Sequence, residues 1–158
     1  VAPPSDDHAA LRRTAEIYAR GADRRCKDDW RAVLAEDVVI AGPGFTIAGQ
    51  EANLGSIDFL ALSFRATRHI VHAQWVEITG DRARGETVGT AEHRIAGADG
   101  TSDTLLCWAI RYQDEWRRDD GAWRFTRRDL IVDWEEVRPV HDVGGPVAAA
   151  HMEKETPQ

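Results

Sequence analysis

Cysteine is nearly absent from this 158-residue chain: Cys26 and Cys107 stand 81 positions apart with no CxxC pair. Neither a zinc knuckle nor a disulfide framework is indicated, and both thiols are expected to stay reduced. No apolar run approaches the roughly 20 residues of a membrane-spanning helix. Val1 to Asp7 lacks the basic and apolar regions of a signal peptide, so the expectation is a soluble, cytoplasmic protein that does not engage a membrane. Lysine is scarce, at Lys27 and Lys154 only, with 18 Arg making up the other basic residues. GC-rich coding produces that bias without selection, and it carries no functional weight. Basic charge as a whole is outweighed, 20 Lys and Arg against 27 Asp and Glu for a net charge of −7. A field of that sign does not invite a polyanion, so nucleic acid is not an expected partner. No repeat or low-complexity block divides the chain, and its length fits one domain.

Tryptophan, by contrast, is plentiful: Trp30, Trp75, Trp108, Trp116, Trp123 and Trp134 are large enough to line a cavity as well as to fill a core. After Pro3 and Pro4, Ser5 or Asp7 can cap a helix in which Leu11, Ala15, Tyr18 and Ala22 recur at helical spacing up to about Asp23. Asp28 and Asp29 can cap a shorter helix carrying Trp30, Val33 and Leu34, and the β-branched run Val38-Val39-Ile40 predicts a strand. Ala41 to Gly49 is expected to turn on its glycines and Pro43. A third helix, Gln50 to about Phe64, places Leu54, Ile57, Ala61 and Phe64 on one face.

Beyond Ala66 the pattern changes. Four β-like stretches, Thr67 to Ile78, Ala83 to Ile95, Thr101 to Trp116 and Trp123 to Trp134, are separated by the hairpin-turn segments Thr79-Gly80-Asp81, Gly97 to Gly100 and Asp119-Asp120-Gly121. The result is an antiparallel meander after the helices, hence an α+β layer. From Glu135 onward no period is sustained. The expected organisation is a tail over 1–6, a domain over 7–138 and a C-terminal arm over 139–158 that is loose or docked on a neighbouring subunit.

Candidate chemistry follows from the strand Thr67 to Trp75. Alternation puts His69, Val71, Ala73 and Trp75 on one face and Arg68, Ile70, His72 and Gln74 on the other. Two histidines pointing apart cannot share a metal ion. By periodicity His69 is either a hydrogen-bonded core residue or a general base. Asp23 is disfavoured by the helix dipole at the C-terminal end of the first helix, so it either faces water or has a cationic or N–H partner. In the second case it can fix an imidazole tautomer. Tyr18, on the apolar stripe, offers a phenol donor or simply packs. In the last strand Arg128 shares parity with Leu130, Val132 and Trp134. A guanidinium held among apolar groups pairs with a carboxylate or holds an anionic or leaving group.

In their order along the chain, Ile17 to Arg25, Thr67-Arg68-His69, Gly80 to Ala83, Arg111 to Asp114 and Asp120 to Arg128 resemble the SnoaL-like branch of the nuclear transport factor 2-like superfamily. The likeness spans about Asp7 to Trp134 and is closest to its dehydratase members. The relatives it points to are scytalone dehydratase, bile acid 7-alpha-dehydratase and hexachlorocyclohexane dehydrochlorinase. The resemblance implies a cone-shaped α+β barrel in which a strongly curved, mixed but mostly antiparallel sheet packs against three N-terminal helices around an apolar cavity. It also implies catalysis by Asp23 and His69 with Tyr18 and Arg128, and neither cofactor nor metal. Ala73 departs from the Asn common four residues after the histidine in these relatives.

The expected reaction is a cofactor-independent elimination of water from a small apolar, cyclic or polycyclic hydroxy-carbonyl compound, steroid-like or polyketide-like, with Val71, Trp75, Trp108 and Tyr112 as walls. Proton return or carbanion attack would make the same base an isomerase or a polyketide-type cyclase. A non-catalytic ligand-binding or assembly subunit would instead leave Asp23 exposed or His69 distant from it. The resemblance favours a homotrimer over a dimer.

Overall fold

A computed structural model of the chain describes residues 7–98 and 102–141. Helix α1 (Asp7–Arg24) opens with an acidic residue, ends with a basic one, and buries Leu11, Thr14, Ala15, Tyr18 and Ala22 along one stripe, as a dipole-matched amphipathic helix should. It stops where Arg25 takes a left-handed conformation (φ 56°) and the Cys26 N–H bonds back to the Gly21 carbonyl. A Cβ on Gly21 would meet Trp30 Cδ1 at 2.5 Å, so this glycine lets α2 (Lys27–Val33) press its tryptophan onto α1.

Strand β1 (Leu34–Gly42) follows α2 without a linker. The expected helical position of Leu34 is corrected: it takes extended angles, is fully buried, and pairs with Phe125. The segment Ala41 to Gly49 is not a simple turn either. It holds β2 (Phe45–Ala48), paired antiparallel with β1 through Gly42↔Phe45. Pro43-Gly44, with Gly44 at φ 79°, supplies the tight reversal that a Pro followed by a left-handed Gly favours. A mostly exposed four-residue strand carries no alternation from which to predict it.

Helix α3 (Gln50–Ser63) buries Asn53, Leu54 and Ile57, whereas Ala61 of the expected apolar face is exposed, as are Phe59 and Leu62. The C-terminal half of the helix stands over a cavity instead of lying on packed core.

The meander consists of β3 (Ala66–Thr79), β4 (Arg82–Ile95), β5 (Asp103–Asp119) and β6 (Ala122–Val140). The β5–β6 turn has positive φ at both Asp120 and Gly121, the geometry that matches the twist of the flanking strands. In the β4–β5 connection, Asp99 to Thr101 lie outside the described residues. Strand β6 continues six residues past the expected end at Trp134, pairing Val140 with Asp103, so the expected boundary at 138 falls inside it. Glu135 to Pro139 are exposed on both faces, which removes the alternation that marks a half-buried strand. The rest of the expected arm, 142–158, lies outside the described residues.

The six strands form one curled, open sheet in the order β2-β1-β6-β5-β4-β3, antiparallel except for the parallel β1–β6 pair. The three helices cover its concave face. The core between them holds Leu11, Leu34, Val38, Leu54, Ile57, Trp116 and Phe125. Among the described residues no helix is long and apolar enough to cross a membrane.

Candidate active site

The last turn of α1 and the start of β3 meet at the edge of this core. Asp23 Oδ1 lies 2.7 Å from His69 Nδ1 and accepts the Thr67 hydroxyl at 3.0 Å, while Oδ2 accepts the His69 backbone N–H at 2.8 Å. Three donors thus answer the unfavourable helix-end position of this carboxylate. A carboxylate oxygen facing Nδ1 assigns the ring proton there, which leaves Nε2 as the basic nitrogen of the neutral imidazole. The cluster is braced from outside: Arg25 donates to the Thr67 hydroxyl at 2.7 Å and to the Leu60 carbonyl at 3.2 Å, and also to the Ala22 carbonyl.

His69 forms part of the wall of a cavity of about 490 Å³ bounded mainly by apolar and aromatic side chains from all six strands and α1 to α3, Trp108, Tyr112, Ile110 and Leu130 among them. A larger depression of about 730 Å³ lies on the outer sheet face among Arg84, Glu86, Glu115, Arg127 and Asp129. It is an open, charged groove remote from the His69–Asp23 contact, whereas the smaller space has the apolar concavity typical of small-molecule sites.

Tyr18 and Tyr112 both line the apolar cavity. Tyr18 stacks on Trp30 at 4.4 Å and meets Tyr112 edge-on at 6.5 Å. Burial raises both phenols, Tyr112 to about 12, so each keeps its proton and its capacity to donate near neutral pH. The aromatic walls expected from the sequence therefore divide. Trp108 and Tyr112 line the cavity, whereas Trp75 is 61% exposed and borders the outer groove. The correction has a definite cause: the β3–β4 register slips between Val71 and Gln74. One extra residue in β3 reverses the facing of every side chain after it. Gln74 turns inward to donate to Thr87, and Trp75 turns outward. Val71 faces inward but packs against the core, beside a void of about 10 Å³ next to His69, not on the main cavity.

Arg128 takes the first of its two expected placements, paired with a carboxylate. It is 1% exposed, with Nε and Nη2 on the two oxygens of Asp114 at 2.8 and 3.1 Å. Its guanidinium carbon lies 4.4 Å from the Tyr18 ring centre and 4.0 Å from that of Tyr112. Burial pushes the Asp114 carboxyl up, opposed by the Arg128 charge and the Thr87 hydroxyl. Arg128 belongs to the wall of the small void and not of the large cavity. It is bound to a carboxylate and stacked on two phenols, so it supports the tyrosines instead of facing a leaving group.

Two deeply buried polar residues of the cavity wall escaped the sequence reading. His93 of β4 is 5% exposed, edge-on to His69 at 5.7 Å, and its Nδ1 has no partner. Burial, then the neighbouring His69, lowers its pKa to about 4, so it is neutral at ordinary pH. The alternation of small inward residues Thr87, Gly89 and Ala91 leading to His93 was the available signal. Asn53 of α3 is 1% exposed, and nothing in its local sequence distinguishes it from a surface amide. Among the described residues no group of three or more His, Cys, Asp or Glu side chains could hold a metal ion.

Solved structures with this fold include a candidate scytalone dehydratase from Novosphingobium aromaticivorans, 23% identical, with TM-score 0.71 over 88% of this chain and 94% of that one. The hexachlorocyclohexane dehydrochlorinase LinA-type3 of Novosphingobium barchaimii is 18% identical, with TM-score 0.74 over 88% and 95%. A single-site variant of Rv3472 from Mycobacterium tuberculosis, a protein of unknown function, is 24% identical, with TM-score 0.70 over 96% and 89%. At these identities the likeness establishes the fold. A search among curated proteins finds no match. The model of the SnoaL-like domain matches residues 3–129, a span that includes Tyr18, Asp23, His69 and Arg128, and on that match this protein belongs to the SnoaL-like domain family.

Proposed function

We propose that the protein is a cofactor-independent lyase, a dehydratase, that removes a proton next to a carbonyl, or at a vinylogous position, of a small cyclic hydroxy-carbonyl compound. The observation that carries this reading is the 2.7 Å contact between His69 Nδ1 and Asp23 Oδ1, made by a histidine in the wall of an apolar cavity of about 490 Å³.

With Nδ1–H held by Asp23, Nε2 takes the proton from carbon. The C–H electron pair moves into the carbonyl to give an enolate, whose oxygen accepts hydrogen bonds from the Tyr18 and Tyr112 hydroxyls. The enolate then re-forms the carbonyl and the C–O bond at the next carbon breaks. The departing hydroxide takes the proton from His69 Nε2 and leaves as water. Asp23 stabilises the imidazolium that exists between the two steps. Arg128 serves by holding both phenol rings in place, and His93, uncharged, avoids repelling that imidazolium. The same base with a different fate for the enolate gives the isomerase or cyclase outcomes. A purely structural subunit has no use for a partly buried imidazole in an apolar cavity wall with its Nδ1 held by a carboxylate, and this favours the enzymatic reading.

The proton-abstraction step can be tested without the physiological substrate. In D₂O, the wild type should exchange hydrogen at the carbon beside the carbonyl of 1- or 2-tetralone, followed by NMR. His69→Ala should lower that rate by about 10²–10⁴. A His69→Ala variant that exchanges like wild type would refute the assignment.

A further inference from the structure

Helix α1 closes on a left-handed turn in which the Cys26 N–H bonds to the Gly21 carbonyl at 2.9 Å and the Arg25 N–H to the Ala22 carbonyl at 3.4 Å. Glycine is the usual residue at the left-handed position of such a turn, because a side chain there is strained. This chain places Arg25 there, at φ 56°. A strained residue persists where the surrounding structure holds it, and the Arg25 side chain is held on three sides: by Ala22 near the end of its own helix, by Leu60 in the last turn of α3 and by Thr67 at the start of β3. Helix α3 has no basic residue in its own last turn, so the guanidinium supplies the cation that both converging helix ends favour.

The contact with Thr67 does something that helix capping does not require. A guanidinium only donates and a carboxylate only accepts. Thr67 Oγ1 therefore takes the Arg25 N–H at 2.7 Å and turns its single proton to Asp23 Oδ1 at 3.0 Å. The chain of donors runs in one direction, from Arg25 through Thr67 to the carboxylate that faces the ring of His69. Donation by a cation polarises the hydroxyl and strengthens its bond to Asp23. With the Thr67 proton on Oδ1 and the His69 backbone N–H on Oδ2 at 2.8 Å, the carboxylate plane is fixed where Oδ1 meets Nδ1 at 2.7 Å. A guanidinium bonded to Asp23 itself would compete with the imidazolium for the same charge. Acting through a hydroxyl, it orients the carboxylate and leaves that charge to His69. Neither Arg25 nor Thr67 borders the apolar cavity.

We propose that Arg25 is a positioning residue for the Asp23–His69 pair, acting through the Thr67 hydroxyl to hold the Asp23 orientation that keeps the proton on Nδ1 and the lone pair on Nε2. Its catalytic consequence rests on the proposed function, whereas its effect on the imidazole tautomer exists with or without turnover.

Thr67→Val removes the link and leaves the Arg25 bonds to both helix ends. In the deuterium exchange of 2-tetralone, followed against ketone concentration, Thr67→Val should lower the limiting rate about tenfold or more. The half-saturating concentration should stay within about twofold, and Thr67→Ser should return the rate to within about threefold of wild type. Arg25→Met should lower the limiting rate by a similar factor in the wild type but by less than about twofold in the Thr67→Val background, because the two groups act in series. NMR of the His69 ring nitrogens, which needs no ligand, should show the Nδ1–H tautomer in the wild type and a shift toward the Nε2–H form in Thr67→Val. The NMR and serine comparisons stand if Arg25→Met fails to fold. A wild-type rate or an unmoved tautomer in Thr67→Val, a rate that serine fails to restore, or an Arg25→Met loss that is absent or undiminished in the Thr67→Val background overturns the assignment and leaves the lyase reading intact. A wild type that exchanges no ketone, but whose tautomer still depends on the Thr67 hydroxyl, sinks only the lyase reading.

Discussion

Asp23 is the residue on which the proposed chemistry turns, because it occupies a place that a helix disfavours for a carboxylate and holds three hydrogen-bond donors in return. Asp23→Asn keeps the shape but presents an amide to Nδ1 and unsettles the tautomer. Deuterium exchange into a cyclic ketone should fall at least about 10²-fold with little change in unfolding temperature. Arg128 and Asp114 behave in the opposite way. They are almost completely buried, at 2% and 0% side-chain exposure, so Asp114→Ala leaves an uncompensated cation and should cost about 3–5 kcal/mol in denaturant unfolding. Arg128→Met combined with Asp114→Leu should recover most of that loss. If the double variant regains stability but still binds ketones poorly, the guanidinium is needed to seat Tyr18 and Tyr112. The sequence showed Arg128 among apolar neighbours but not its partner, because Asp114 sits on a different strand and the contact depends on the β5–β6 register.

At the scale of elements, one bulge decides that Trp75 faces away from the cavity that Trp108 lines. Strict alternation through β3 places Trp75 with His69. The slip between Val71 and Gln74 reverses it, and no local residue type announces that slip. Trp75→Ala should therefore leave ketone affinity within about twofold, whereas Trp108→Ala should weaken it about tenfold or more, both read by titration. Turn chemistry was easier to read, since Gly80 and Asp120-Gly121 fell where hairpins require positive φ. The hidden elements were those that alternation does not mark: β2, exposed and four residues long, and the exposed end of β6.

For the whole molecule, the helices-then-meander order was legible from periodicity, and the concave face follows from packing three helices on one curled sheet. What periodicity left unseen was the contents of that concavity, because His93 and Asn53 look like ordinary polar residues until the fold buries them. His93 also gives the fold a pH dependence. Its folded pKa of about 4 lies below the ordinary histidine value near 6.5, so the unfolded chain binds more protons between these limits. Stability is therefore full above about pH 6.5 and falls as pH drops toward 4, by about 3 kcal/mol from this residue. Thermal unfolding followed from pH 7 to pH 4.5 should show the loss, and His93→Gln should flatten it.

The central claim is that the Asp23-held imidazole addresses a ligand inside the apolar cavity. The most direct measurement is a crystal structure with a bound polycyclic hydroxy-ketone. The account requires the carbon beside the carbonyl within about 3.5 Å of His69 Nε2, with Nδ1 still on Asp23. A ligand seated in the charged outer groove, or one that fills the cavity with its acidic carbon turned away from His69, would contradict it.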